Sequence, residues 1–140
     1  MRAVVEKRLG AIAAIRLIES LSYVPFVDLM RRAHLLLTDS GGIQEEGPSL
    51  GKPVLVMREK TERPEAVTAG AARLTGTDPA CIVAETSLLL DDAAEYAQRA
   101  RVRHIYGDGR AATLIRDAVR AYFAIGYPFE SARTASGGSP

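Results

Sequence analysis

Along this chain, short and wholly apolar runs alternate with stretches in which apolar residues recur at helical spacing. The first stretch, Val4 to Ala14, predicts a helix, and Ile15–Ile18 follows as a short apolar run suited to a strand. Leu21 to Phe26 is expected to be a connection, because Pro25 has a fixed φ and no N–H to give a ladder. A helix resumes at Val27, with Val27, Met30 and Ala33 on one face. His34–Thr38 then has the apolar pattern of a strand covered on both sides of a parallel sheet. Asp39-Ser40-Gly41-Gly42 ends it, and the next helix opens at Ile43. Gly51-Lys52-Pro53 stops that helix ahead of a second buried strand, Val54–Met57. A charged loop, Arg58 to Glu62, leads to Pro64 at the first position of a helix running to Gly70. Ala72–Thr75 predicts a further strand, and Asp78-Pro79 starts a helix that Asp91-Asp92 interrupts or turns. Helix continues from Tyr96 to Arg103, Tyr106-Gly107-Asp108-Gly109 makes a turn, and Ala111–Ala124 is a last amphipathic helix.

Strands alternating with helices at this spacing predict an α/β fold, a parallel sheet built from right-handed βαβ units. Ligands of such sheets bind beyond the carboxyl ends of the strands, here the stretches 39–46, 57–63 and 75–78. The charge balance, 18 Lys+Arg against 17 Asp+Glu, excludes a nucleic-acid binder that works by neutralising phosphates. One cysteine, Cys81, excludes a disulfide framework and is expected in the core. No apolar run approaches the ~20 residues of a membrane span, and the first residues lead into no signal-like core, so no membrane partner is expected and the chain reads as soluble and cytoplasmic. Residues 1–126 are expected to form one folded unit and 127–140 a flexible tail, since Ser131–Pro140 is small, polar and Gly/Ser-rich.

Ser40-Gly41-Gly42 is the sharpest local signal. Two glycines between a buried strand and a helix let a ligand approach the backbone, and the helix start offers unpaired N–H groups to an anion. A diphosphate suits that place, and the plain alternative is a strand-to-helix turn with Ser40 or Gly42 as cap. The spacing matches neither the dinucleotide glycine fingerprint nor the lysine-bearing P-loop. Glu45 and Glu46 are expected in the first turn of that helix, where carboxylates favour the helix dipole. Glu46, one turn on from Gly42, is placed to accept both hydroxyls of a ribose. Arg63 stands just before a helix and suits phosphate or carboxylate, the alternative being a surface ion pair with Glu62 or Glu65. His34 is expected to pack or bond at the surface, and His104 to lie in a loop. No group of His, Cys, Asp or Glu has metal-ligand spacing, so no metal is predicted. A phospho-acceptor receiver, suggested by Asp39 and Lys52-Pro53, fails on order, because Lys52-Pro53 precedes its strand.

Leu35–Glu46, Pro48–Arg58, Thr61–Ala66, Gly76-Thr77-Asp78 and Tyr106–Gly109 together resemble the non-hydrolysing UDP-N-acetylglucosamine 2-epimerases. The resemblance implies a Rossmann-like three-layer parallel sheet, the later part of the second domain of a GT-B-type two-domain fold. It implies that Ser40, Gly41 and Gly42 hold the UDP diphosphate, that Glu46 takes the ribose hydroxyls, that Phe26 packs near the uracil, and that Arg63 belongs to the nucleotide-sugar site. No catalytic residue is expected in this stretch, because the family's acid/base carboxylates lie in the first domain. The implied partners are UDP-GlcNAc or UDP, that first domain on the same or a separate chain, and a second copy in a homodimer; no cofactor is implied. The sequence departs from the family at Ser20-Leu21, near the base pocket, and at His104-Ile105, before the Tyr-Gly-Asp-Gly turn. A catalytically silent nucleotide-binding or partner-binding module is the competing expectation.

Overall fold

The computed structural model describes residues 2–101 and 105–123. They form α1 (Arg2–Leu9), α2 (Tyr23–Arg32), β1 (Leu36–Thr38), α3 (Gly41–Ser49), β2 (Val54–Val56), α4 (Pro64–Thr68), β3 (Ala72–Leu74), α5 (Pro79–Asp91), α6 (Ala93–Arg99) and α7 (Ala111–Phe123). Residues Met1–Ile105 make one compact unit and Tyr106–Pro140 another. Within the second unit α7 buries none of its residues and leaves Leu114, Ile115 and Tyr122 exposed.

The first unit is built on a parallel sheet in the order β1-β2-β3, with Leu36 opposite Val54 and Val54 opposite Ala72. Strand order follows chain order, so right-handed crossovers lay α3 and α4 on the same face, where they touch. Val54 and Val56 face that side with Ala66 of α4 and Ala72, and Leu36, Leu74 and Ile105 close the cluster. Leu55 alternates to the other face, and it is as fully buried as its neighbours because α5, carrying buried Leu89, packs on β2 there. Gly47 makes the α3 contact possible: a Cβ there would lie 2.6 Å from Val54 Cγ2 and 2.9 Å from Leu36 Cδ1. The helix breaks follow local chemistry. Gly51 and Gly70 take positive φ just past α3 and α4, and Asp92 both ends α5 and caps α6, its carboxylate accepting from the N–H groups of Ala94 and Glu95.

Four expectations are corrected. Ile15–Ile18 is not a strand: it runs as exposed coil, Ile18 being 61% accessible. A strand is stable only beside a neighbour that satisfies its ladder, and among the described residues none pairs with this run. The connection expected at Leu21–Phe26 is mostly helix, because Pro25 falls in the first turn of α2, where its missing N–H is harmless. The helix after β1 begins at Gly41 rather than Ile43, so both glycines belong to its first turn, and Glu45 and Glu46 lie beyond that turn rather than in it. Cys81 is half-buried on α5 rather than in the core. His34 does bond at the surface: its ring stacks on Tyr96 at 4.0 Å, and the Tyr96 hydroxyl donates to the His34 carbonyl. His104, Ala124 and the tail expected at 127–140 lie outside the described residues.

Candidate functional site

The carboxyl ends of β1, β2 and β3 lead into Asp39–Gly42, Met57–Arg63 and Thr75–Asp78, the stretches where ligands of parallel sheets bind. At the first of these, Thr38 is buried and its hydroxyl accepts the Ser40 N–H at 3.0 Å, turning the chain sharply into α3. Ser40 is the N-cap residue in extended conformation, yet its hydroxyl makes no capping bond. The first three N–H groups of α3, from Gly41, Gly42 and Ile43, therefore have no acceptor among the described residues. They stand at the positive end of a nine-residue helix.

The glycines at this start answer no need of the chain itself. Neither has positive φ, a Cβ on Gly41 would meet nothing within 4 Å, and one on Gly42 would meet only Ser40 Oγ at 3.9 Å. Glycine within a helix costs up to ~1 kcal/mol relative to alanine. Two such residues in succession leave an open, methyl-free surface over unpaired N–H groups. That is what close approach by a diphosphate requires.

Arg63 is carried to the same place from the β2 side. It occupies the residue before α4, its Nε pairs with Glu45 of α3, and its Nη1 donates to the Glu62 carbonyl at 3.1 Å. The ion pair weighed as the alternative role of Arg63, with Glu62 or Glu65, is replaced by one with Glu45, across the two helix starts. Thr61 receives the Arg63 backbone N–H at 3.0 Å and donates its own hydroxyl to Gln44 of α3. Beyond β3, Gly76 takes φ +62°, and the Glu59 carboxylate occupies the volume a Cβ would fill there.

Ser40, Gly41, Gly42 and Arg63 are therefore brought together. Glu46 shares α3 with them, half-buried, and its carboxylate has no hydrogen-bond or ion-pair partner among the described residues. Phe26 is half-buried on α2, and no hydrogen bond or ring contact among the described residues joins it to the others. Sequence reasoning missed Gln44 and Thr61. The available signal was periodicity: Gln44, Gly47 and Pro48 form the core-facing stripe of α3, and a polar residue on such a stripe must be satisfied by something. Among the described residues no cluster of His, Cys, Asp and Glu is arranged to hold a metal, and no helix is long and apolar enough to cross a membrane. The arrangement offers N–H donors, a helix dipole and a guanidinium to an anionic ligand, with an unpaired carboxylate one turn away.

The family model for UDP-N-acetylglucosamine 2-epimerase matches residues 1–120. The UDP-N-acetylglucosamine 2-epimerase of Salmonella typhimurium is 57% identical over 118 residues, which are 84% of this chain and 31% of that protein. A probable UDP-N-acetylglucosamine 2-epimerase of Ralstonia solanacearum is 56% identical over 124 residues, 89% of this chain and 33% of that protein. Among solved structures, the Neisseria meningitidis UDP-GlcNAc 2-epimerase bound to UDP-GlcNAc superposes with TM-score 0.81 at 42% identity, over 86% of this chain and 32% of that one. The S. aureus MnaA–UDP complex gives TM-score 0.81 at 42% identity, over 88% of this chain and 34% of that one. The chain spans about a third of the length of the relatives it matches.

Proposed function

Because the chain belongs to the UDP-N-acetylglucosamine 2-epimerase family, we propose that it is the UDP-binding portion of an enzyme interconverting UDP-GlcNAc and UDP-ManNAc. The observation that carries this reading is the uncapped, methyl-free start of α3, with Arg63 tied to its flank. Gly41 and Gly42 hold the diphosphate through backbone N–H groups, Ser40 through its hydroxyl, which no capping bond engages, and Arg63 adds charge to the same group. Glu46 accepts the ribose hydroxyls, and Phe26 packs near the uracil. The reaction runs by elimination and re-addition. The C1–O bond breaks with its electrons leaving on UDP while a base removes the C2 proton, giving 2-acetamidoglucal. Protonation of C2 from the other face and return of UDP to C1 give the epimer. UDP is covalently free between the two steps, so the grip on it must outlast the C1–O bond; that grip is the task of this portion. Proton transfer belongs to carboxylates of a first domain, on the same or a separate chain. Residues 1–126 are the UDP-binding unit, acting in the cytoplasm within a homodimer and serving cell-envelope polysaccharide synthesis.

Titration calorimetry of the 140-residue chain with UDP and with uridine, beside a coupled assay for UDP-ManNAc, tests the reading. Saturable UDP binding well above that of uridine is expected, with no measurable turnover, because each missing acid/base group is worth ~10²–10⁴-fold in rate. Equal affinity for UDP and uridine, or robust epimerisation by this chain alone, contradicts it.

A further inference from the structure

Gln44 is fully buried on the core-facing side of α3, and both ends of its carboxamide are engaged. Its Nε2 donates to the Ser40 carbonyl at 3.2 Å, and its Oε1 accepts from the Thr61 hydroxyl at 2.5 Å. The Thr61 oxygen, its one proton spent on Gln44, accepts the Arg63 backbone N–H at 3.0 Å. Four residues from two elements thus form one hydrogen-bonded chain, Ser40–Gln44–Thr61–Arg63. A buried carboxamide left unsatisfied is costly, so Gln44 favours only conformations in which the Met57–Arg63 loop is seated against α3. The Glu45–Arg63 pair is a second tie, but both side chains are over a third exposed, and such pairs hold geometry weakly.

We propose that Gln44 and Thr61 are positioning residues that fix Arg63 relative to the Ser40–Gly42 helix start, so that both diphosphate contacts stand ready before the ligand arrives. This rests on the UDP-binding reading above. Neither residue touches the ligand in this account. Each contributes by removing the cost of ordering the loop on binding.

Thr61→Val deletes both hydroxyl hydrogen bonds at nearly constant volume, and Thr61→Ser restores them. In amide spectra of the ligand-free 140-residue chain, Thr61→Val is expected to shift the Arg63 amide and also those of Gly41–Ile43, with both sets returning in Thr61→Ser. UDP binding should weaken about tenfold in the valine variant and recover in the serine one, while binding of uridine, which has no phosphate, stays constant. Shifts confined to residues 60–63, or UDP affinity unchanged in Thr61→Val, overturn the proposal. Failure of the unsubstituted chain to bind UDP sinks the functional reading instead, and the ligand-free spectra still judge the tie. Should Thr61→Val not fold, hydrogen exchange at the Arg63 amide of the unsubstituted chain decides. Strong protection supports the chain of bonds, and exchange as fast as an open loop refutes it.

Discussion

Gly42→Ala, with Gly41→Ala in parallel, separates a ligand site from a plain turn because only a ligand site gives opposite signs for stability and affinity. In the ligand-free protein a methyl at either position is accommodated, since it meets nothing closer than Ser40 Oγ at 3.9 Å. Neither residue needs positive φ. Replacing glycine by alanine in such a conformation stabilises by ~0.4–1 kcal/mol, largely by restricting the unfolded chain. For a unit of about this size that is a rise of ~2–6 °C in melting temperature. The bound state reverses the sign. A phosphate oxygen accepting a backbone N–H lies ~2.9 Å from the nitrogen. The rest of the phosphate then crowds the space an added Cβ takes. Loss of one charge-assisted hydrogen bond costs ~1.5–3 kcal/mol, about ten- to a hundredfold in Kd. Thermal melts and UDP calorimetry on the same samples give both numbers. A variant that melts higher and binds UDP as tightly as before refutes the site; one that melts lower refutes the packing argument.

Glu46→Gln should weaken UDP binding by ~1–3 kcal/mol with the melting temperature nearly unchanged, whereas a residue acting only on the helix dipole would lose stability and leave affinity alone. Gly47→Ala is expected to destabilise the fold by ~1–3 kcal/mol in denaturant titrations, since its methyl has to displace Val54 Cγ2 and Leu36 Cδ1; a neutral result would mean that α3 shifts freely on the sheet. β1 pairs on only one side among the described residues, and Leu37 on it is 43% exposed. Concentration-dependent self-association is therefore expected in light scattering and should fall in Leu37→Lys, which charges the open edge without changing its pairing to β2. Association unaffected by that charge would place the contact elsewhere.

Much of the first unit was legible without coordinates because its signals are local. Val54–Val56 is apolar throughout, Pro64 and Gly70 bracket α4, and Asp92 is the kind of residue that ends one helix and caps the next. The pairing of Ser40-Gly41-Gly42 with a helix start could also be read, since cap and glycine chemistry act within a few residues. What tertiary structure decided was everything that depends on a partner distant in sequence. Ile15–Ile18 has strand composition but no neighbour to complete a ladder, so composition alone misled. Arg63 has acidic residues on either side of it, Glu62 and Glu65, yet its guanidinium pairs with Glu45, 18 positions away, because parallel crossovers bring two helix starts side by side. Gln44 looked like an ordinary helix residue until the fold turned it inward against Thr61. Backbone preferences are written residue by residue, whereas the partner of a buried polar group is chosen by how the layers pack.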